Sequence, residues 1–129
     1  MILSDYLGGA FEREYCPGTW DCALFVAGWV DSLTGQNRTG AFAGRYRDKA
    51  EGLHRFGPLR RRMEHELGLL GFTLHEQPRE GDIATMRGGL VGIVTSVGEH
   101  LGVTLVMEDV GGFLTLKTAT AKGFYRWEK

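Results

Sequence analysis

From Cys22 onward the chain is apolar on nearly every side for about three turns, whereas beyond residue 82 apolar and β-branched residues come in short runs broken by glycine. The two patterns predict different elements. Ser4 caps a short helix running to about Glu14, with Tyr6, Leu7, Ala10 and Phe11 at helical spacing, and "CPGT" breaks it. Asp21 suits the N-cap of a second helix over residues 22–33, which Gly35 stops, and its all-round apolar character makes it the most buried helix. A third helix covers "GRYRDKAEGLHRF". A fourth starts with Pro58 at its first position and sets Leu59, Met63, Leu67 and Leu70 on one face before Gly71; both are half exposed. After "QPREGD" the period changes, and "IATM", "LVGIVTSV", "GVTLVME" and "FLTLKTA" read as antiparallel strands between "RGG", "GEH" and "DVGG". Helices followed by strands predict an α+β fold, with N-terminal helices packed on a small antiparallel sheet.

Composition narrows the setting. A chain of 129 residues, 43% hydrophobic and 24% charged, suffices for a single domain spanning 1–129. A net charge of -1 implies neither nucleic acid nor an anionic membrane as an obligatory partner. "MILSDYLGG" lacks the basic start and long apolar core of a signal peptide, and no segment reaches the length of a membrane span, so synthesis in the cytoplasm without export is expected. Cys16 and Cys22 are expected as free thiols, although their spacing across a loop leaves one bridge geometrically open.

The candidate chemistry centres on Cys22. At a helix N-terminus, unpaired backbone N–H groups and the helix dipole favour negative charge, which lowers a thiol's pKa and suits a nucleophile. A lone cysteine on an apolar helix is more often a packing residue than a nucleophile. His54 and His65 fall on polar helix faces, His75 in a loop, and His100 in the turn "GEH", so none has a sequence reason to meet Cys22. The histidines and cysteines show no metal spacing, and "HELGL" lacks the second His of a zinc-protease helix, so no metal or cofactor is inferred. The basic bias around "RRRMEHE" reads as a solvated helix face. Asp82 in "EGD" reads as structural, accepting from a backbone group at the start of the first strand.

These segments resemble a family. "WDCALFVAGWV" is similar to the nucleophile segment of the NlpC-like branch of papain-like cysteine peptidases, in which Asp-Cys opens the core helix after an aromatic residue. "PREGDIATM" is similar to that family's Pro-x-x-Gly-Asp motif, and "LVGIVTS" to the strand whose usual form is His-Val-Gly-Ile-Tyr. Order and spacing agree over about residues 19–110. With "TGAFAGRY", the chain resembles small NlpC-like proteins encoded among tail genes of tailed bacteriophages and prophages. The resemblance implies a papain-like NlpC-type fold with Cys22 as nucleophile. It also implies departures: the position of the general-base His is Leu90, and the orienting polar residue on the next strand falls near Met107, with Glu108 and Asp109 within a residue or two. Without a base and its orienting partner, the thiol must rely on its own thiolate fraction.

Two functions follow as expectations. One is a tail-tip or tail-assembly component of the virion, built on an inactive NlpC-like domain in which Cys22 is a remnant nucleophile. The other is a peptidoglycan endopeptidase in which Cys22 attacks an amide carbonyl. A binding module that keeps the cleft for a cell-wall peptide or a lipid-linked ligand lies between them. For the first, the partners are other tail-tip proteins, met through Phe124, Tyr125 and Trp127 beside Arg126 in "KGFYRWEK". The competing assignment for that segment is a final edge strand that packs Phe124 and Trp127 onto the domain's own sheet.

Overall fold

The structure, a computed structural model, describes residues 2–107 and 110–129. Helices α1 (Leu3–Ala10), α2 (Cys22–Thr34), α3 (Lys49–Phe56) and α4 (Leu59–Leu70) precede strands β1 (Thr73–His75), β2 (Ile83–Met86), β3 (Val91–Val97), β4 (His100–Met107), β5 (Gly112–Lys117) and β6 (Ala121–Arg126). The architecture is α+β, as the change of hydrophobic period predicts. The strands form one antiparallel sheet in the order β1-β6-β2-β3-β4-β5, so the last strand lies between the first two.

Helix boundaries follow their caps. The Asp21 carboxylate accepts from the Leu24 N–H, and Gly35 ends α2 in the left-handed conformation, matching the sequence expectation at both ends. Elsewhere local signals misplace the ends by a few residues. α1 stops at Ala10 and Ser4 makes no cap hydrogen bond. α3 begins only after Asp48, whose side chain caps it through Glu51 N–H. Pro58 occupies the N-cap of α4 rather than its first turn. β1 is an addition to the expected strands, and β6 takes the strand assignment weighed for the C-terminal segment but lies inside the sheet rather than at its edge. β1 is only 3 residues long, too short for an alternating pattern to register, and it carries His75, expected in a loop.

Alternation along the strands gives the sheet two apolar faces. Ile83, Val91, Ile93 and Val106 join Phe25, Trp29 and Leu67 of the helices in the larger core. Ala84, Val94, Val103, Leu105 and Phe124 form a second cluster. β3 and β4 must approach closely for this, and Gly92 permits it. A Cβ there would lie 2.6 Å from Val103 Cγ1 and 2.8 Å from Thr104 O. Cys22 touches both clusters, which places it at the junction of α2 with the sheet.

Candidate functional site

The first turn of α2 is held by a small polar network. Asp21 Oδ1 accepts from Leu24 N–H at 3.0 Å, while Oδ2 accepts from Gly18 N–H at 3.0 Å and from the Tyr46 hydroxyl. Gly18 is required here. Its φ of 78° lies in the left-handed region, and a Cβ would sit 1.9 Å from the Tyr46 carbonyl oxygen. The Gly44 N–H donates to Gly18 O at 2.8 Å, which brings the "AGRY" segment against the loop before α2. Burial and then the Asp21 carboxylate push the Tyr46 hydroxyl pKa up, so Tyr46 stands as a neutral donor to that carboxylate.

Cys22, the residue after this cap, has its Sγ 2.9 Å from the backbone oxygen of Val91. In that bond the thiol is the donor, a role only the neutral form fills. The expected gain of thiolate character at the helix terminus is overturned: burial pushes the thiol pKa up to about 12, from an ordinary 9.0. Desolvation of a charge in an apolar wall outweighs the partial charges of a helix end. Cys16 and Cys22 are both free thiols, Cys16 exposed and Cys22 half-buried.

Beside Cys22 opens a cavity of about 290 Å³. α2 supplies Ala23, Ala27 and Val30, and α4 supplies Leu59, Met63, Leu67 and Leu70. Phe42, Tyr46, Leu53 and Phe56 close the side toward α3. Leu90 and Met107 line the same cavity as Cys22. Continuing the β3–β4 register past Ile93↔Thr104 sets Leu90 across from Met107. The positions that the family resemblance assigns to nucleophile, base and orienting residue thus meet at one cavity, and two of them hold apolar side chains. Glu108 and Asp109 lie outside the described residues.

The four histidines stand elsewhere. His54, His65 and His100 are exposed, and His100 pairs with Val97 at the end of β3 remote from Leu90, about 20 Å away at strand rise. His75 is bonded to Glu128 at 2.8 Å on the β1 edge. Among the described residues no group of three or more His, Cys, Asp or Glu is placed to hold a metal ion.

Several lining groups carry no signal in the sequence patterns. Glu66 is buried in the cavity wall, where its Oε2 accepts from Arg38 Nε at 3.1 Å and Nη2 at 2.7 Å, and its Oε1 lies 3.2 Å from Arg62 Nη2. Arg62 stacks near Phe42 and Phe56. Lys49, at the start of α3, also lines the cavity, and among the described residues it has no ion-pair partner within 4.0 Å. "RRRMEHE" is therefore more than a solvated face: Arg62, Met63 and Glu66 point at the cavity. Their only trace in the sequence is position: Arg62 just before Met63, and Glu66 just before Leu67, on a helix whose apolar face carries Met63 and Leu67.

Asp82 is structural, as its position predicts. Its side chain, 2% exposed, accepts from Arg79 N–H at 2.8 Å and takes a two-pronged pair from Arg126 at 2.9 and 2.8 Å. The aromatic tail serves the same interior. Phe124 is 5% exposed within the second core cluster, and Tyr125 and Trp127 pack against the larger one, Trp127 with its ring 5.1 Å from that of Phe72. β6 is an inner strand rather than an edge, with Phe124 buried and Tyr125 and Trp127 partly exposed.

Fold and site together define an α+β domain in which a half-buried cysteine at a helix N-terminus faces an apolar cavity. No helix is long and apolar enough to cross a membrane among the described residues. The chain belongs to the family described as a domain of unknown function (DUF6950), whose match covers residues 2–127. No curated protein and no solved structure matches it.

Proposed function

We propose that this chain is an NlpC-like domain without hydrolytic activity, working as a component of a bacteriophage tail tip or of its assembly. The observation that carries the first half is the convergence of Cys22, Leu90 and Met107 on one cavity. A thiol there with a pKa near 12 has no neighbouring imidazole to take its proton, and general-base assistance typically supplies about 10² to 10⁴ in rate. The tail assignment is supported by the sequence resemblance to small NlpC-like proteins of phage tail genes. Partners in this reading are other tail-tip proteins. Their contact falls on the surface around the cavity, where Leu53 is 56% exposed, rather than on the C-terminal aromatics.

The test has two arms. Purified chain is incubated with peptidoglycan peptides, and Cys22→Ala is carried in the virion. The expected results are no cleavage, detection of the chain in purified particles, and assembly and infectivity of the variant close to wild type. Release of muropeptide fragments by the wild type but not by Cys22→Ala overturns the reading in favour of a cysteine endopeptidase. Absence of the chain from particles and normal assembly without it overturn the tail assignment.

A further inference from the structure

The cavity beside Cys22 is apolar over most of its wall, yet its cationic groups are incompletely matched. Its carboxylates are already engaged: Asp21 by two backbone N–H groups and Tyr46, Glu66 by Arg38 and Arg62. Its cations are Arg38, Lys49 and Arg62. Lys49 has no ion-pair partner among the described residues, and the buried Nε of Arg62 has no hydrogen-bond partner. A buried donor left unmet is costly, and an anion at this wall would answer it. The wall between α2 and α4, from Ala27 and Val30 to Met63 and Leu67, has apolar side chains that offer a polar ligand no hydrogen bond. The surface therefore asks for an apolar body with one anionic end.

We propose that this cavity binds an amphipathic anion, an unbranched acyl chain ending in a carboxylate, with the chain lying between α2 and α4 and the carboxylate at Lys49 and Arg62. The proposal rests on the reading of the site as a cavity kept without hydrolytic chemistry. Lys49 and Leu53 are exposed and stand on the same face of α3, so head group and solvent meet there. α3 itself has no buried residue, which leaves it able to shift as a chain enters. A peptide ligand is disfavoured by the same observation, because its amide groups would be stripped of water against Ala27, Met63 and Leu67 without partners.

Calorimetric titration of the full chain with octanoate, decanoate and dodecanoate below their micelle concentrations tests this, with dodecanol and dodecyltrimethylammonium as head-group controls. Affinity should rise roughly fourfold per buried methylene, with a negative heat-capacity change. Dodecanoate should exceed dodecanol by about fivefold, as for a partly exposed ion pair, and Lys49→Gln should remove most of that preference while keeping the chain-length dependence. Ala23→Phe, filling the cavity, should abolish binding. Should that variant not fold, Leu53→Glu sets an anion at the exposed mouth and should weaken dodecanoate but not dodecanol. No binding, equal binding of all three head groups, or binding indifferent to Leu53→Glu and Lys49→Gln overturns the proposal. Peptide hydrolysis by the wild type would overturn the underlying reading whatever the titrations show, whereas absence of chain-length dependence removes only the ligand.

Discussion

The Sγ of Cys22 lies 2.9 Å from the carbonyl oxygen of Val91, the residue after Leu90, so the thiol is turned onto the backbone of β3. With its S–H directed at that oxygen and apolar surroundings, the neutral thiol is the favoured form. Chemical consequences follow for the thiols, and mechanical ones for the fold.

Alkylation should separate the two cysteines. Cys16 is exposed, and Cys22 is half-buried with burial holding its thiol in the neutral form at pH 7. Iodoacetamide at neutral pH should modify one equivalent quickly, and peptide mapping should find it on Cys16. Rapid modification of Cys22 at pH 6 would reveal a cation or base beside it that this geometry lacks.

Stability should fall on the alkaline side. The folded chain holds the Cys22 proton up to about pH 12, whereas the unfolded chain releases it near the ordinary 9.0. The folded state therefore binds more protons between those values. This contribution is whole below about pH 9 and is lost as pH rises toward 12. Tyr6, Tyr46 and Tyr125, all shifted upward chiefly by burial, act in the same direction from their ordinary 10.0 upward. Melting temperature measured from pH 8 to 11 should decline, and less steeply in Cys22→Ala. Parallel curves for the two proteins would show that the thiol does not contribute.

Leu90→His places an imidazole in the cavity lined by Cys22. Each unit taken off the thiol pKa is worth about tenfold in thiolate, so Cys22 alkylation at pH 7.5 should rise on the order of tenfold or more. Stability should drop by about 1–3 kcal/mol, the cost of a polar ring in an apolar wall. An unchanged alkylation rate in a folded variant would mean that position 90 does not face the sulfur.

The C-terminal strand should be indispensable. Arg126→Ala leaves the Asp82 carboxylate, 2% exposed, without its cation, a loss of about 3–5 kcal/mol that urea denaturation would read directly. Truncation after Lys122 removes most of the strand between β1 and β2 and should unfold the chain. A truncated protein with native circular dichroism would return the aromatic tail to the surface.

What the sequence determined by itself was the local part of this protein. α2 was legible from end to end because its signals are short-range: Asp21 bonds a group three residues away, Gly35 takes a backbone conformation other residues avoid, and the apolar run lies between them. β2 to β5 were legible from their β-branched runs and the glycine turns between them. The absence of a histidine at position 90 could be read in the same way, by comparison with the usual form of that strand. Tertiary structure alone decided the rest. β6 enters the sheet beside β1 and β2, and Arg126 reaches Asp82, 44 residues back in the chain, because sheet order is set by which faces bury one another. Tyr46 meets Asp21 across 25 residues, and Lys49, Arg62 and Glu66 become cavity groups only when α3 and α4 close over α2. The thiol of Cys22 shows the division most clearly. The helix end favouring its ionisation is written in four adjacent residues, whereas the burial that prevents it comes from strands some 70 residues further along, and desolvation is the larger effect.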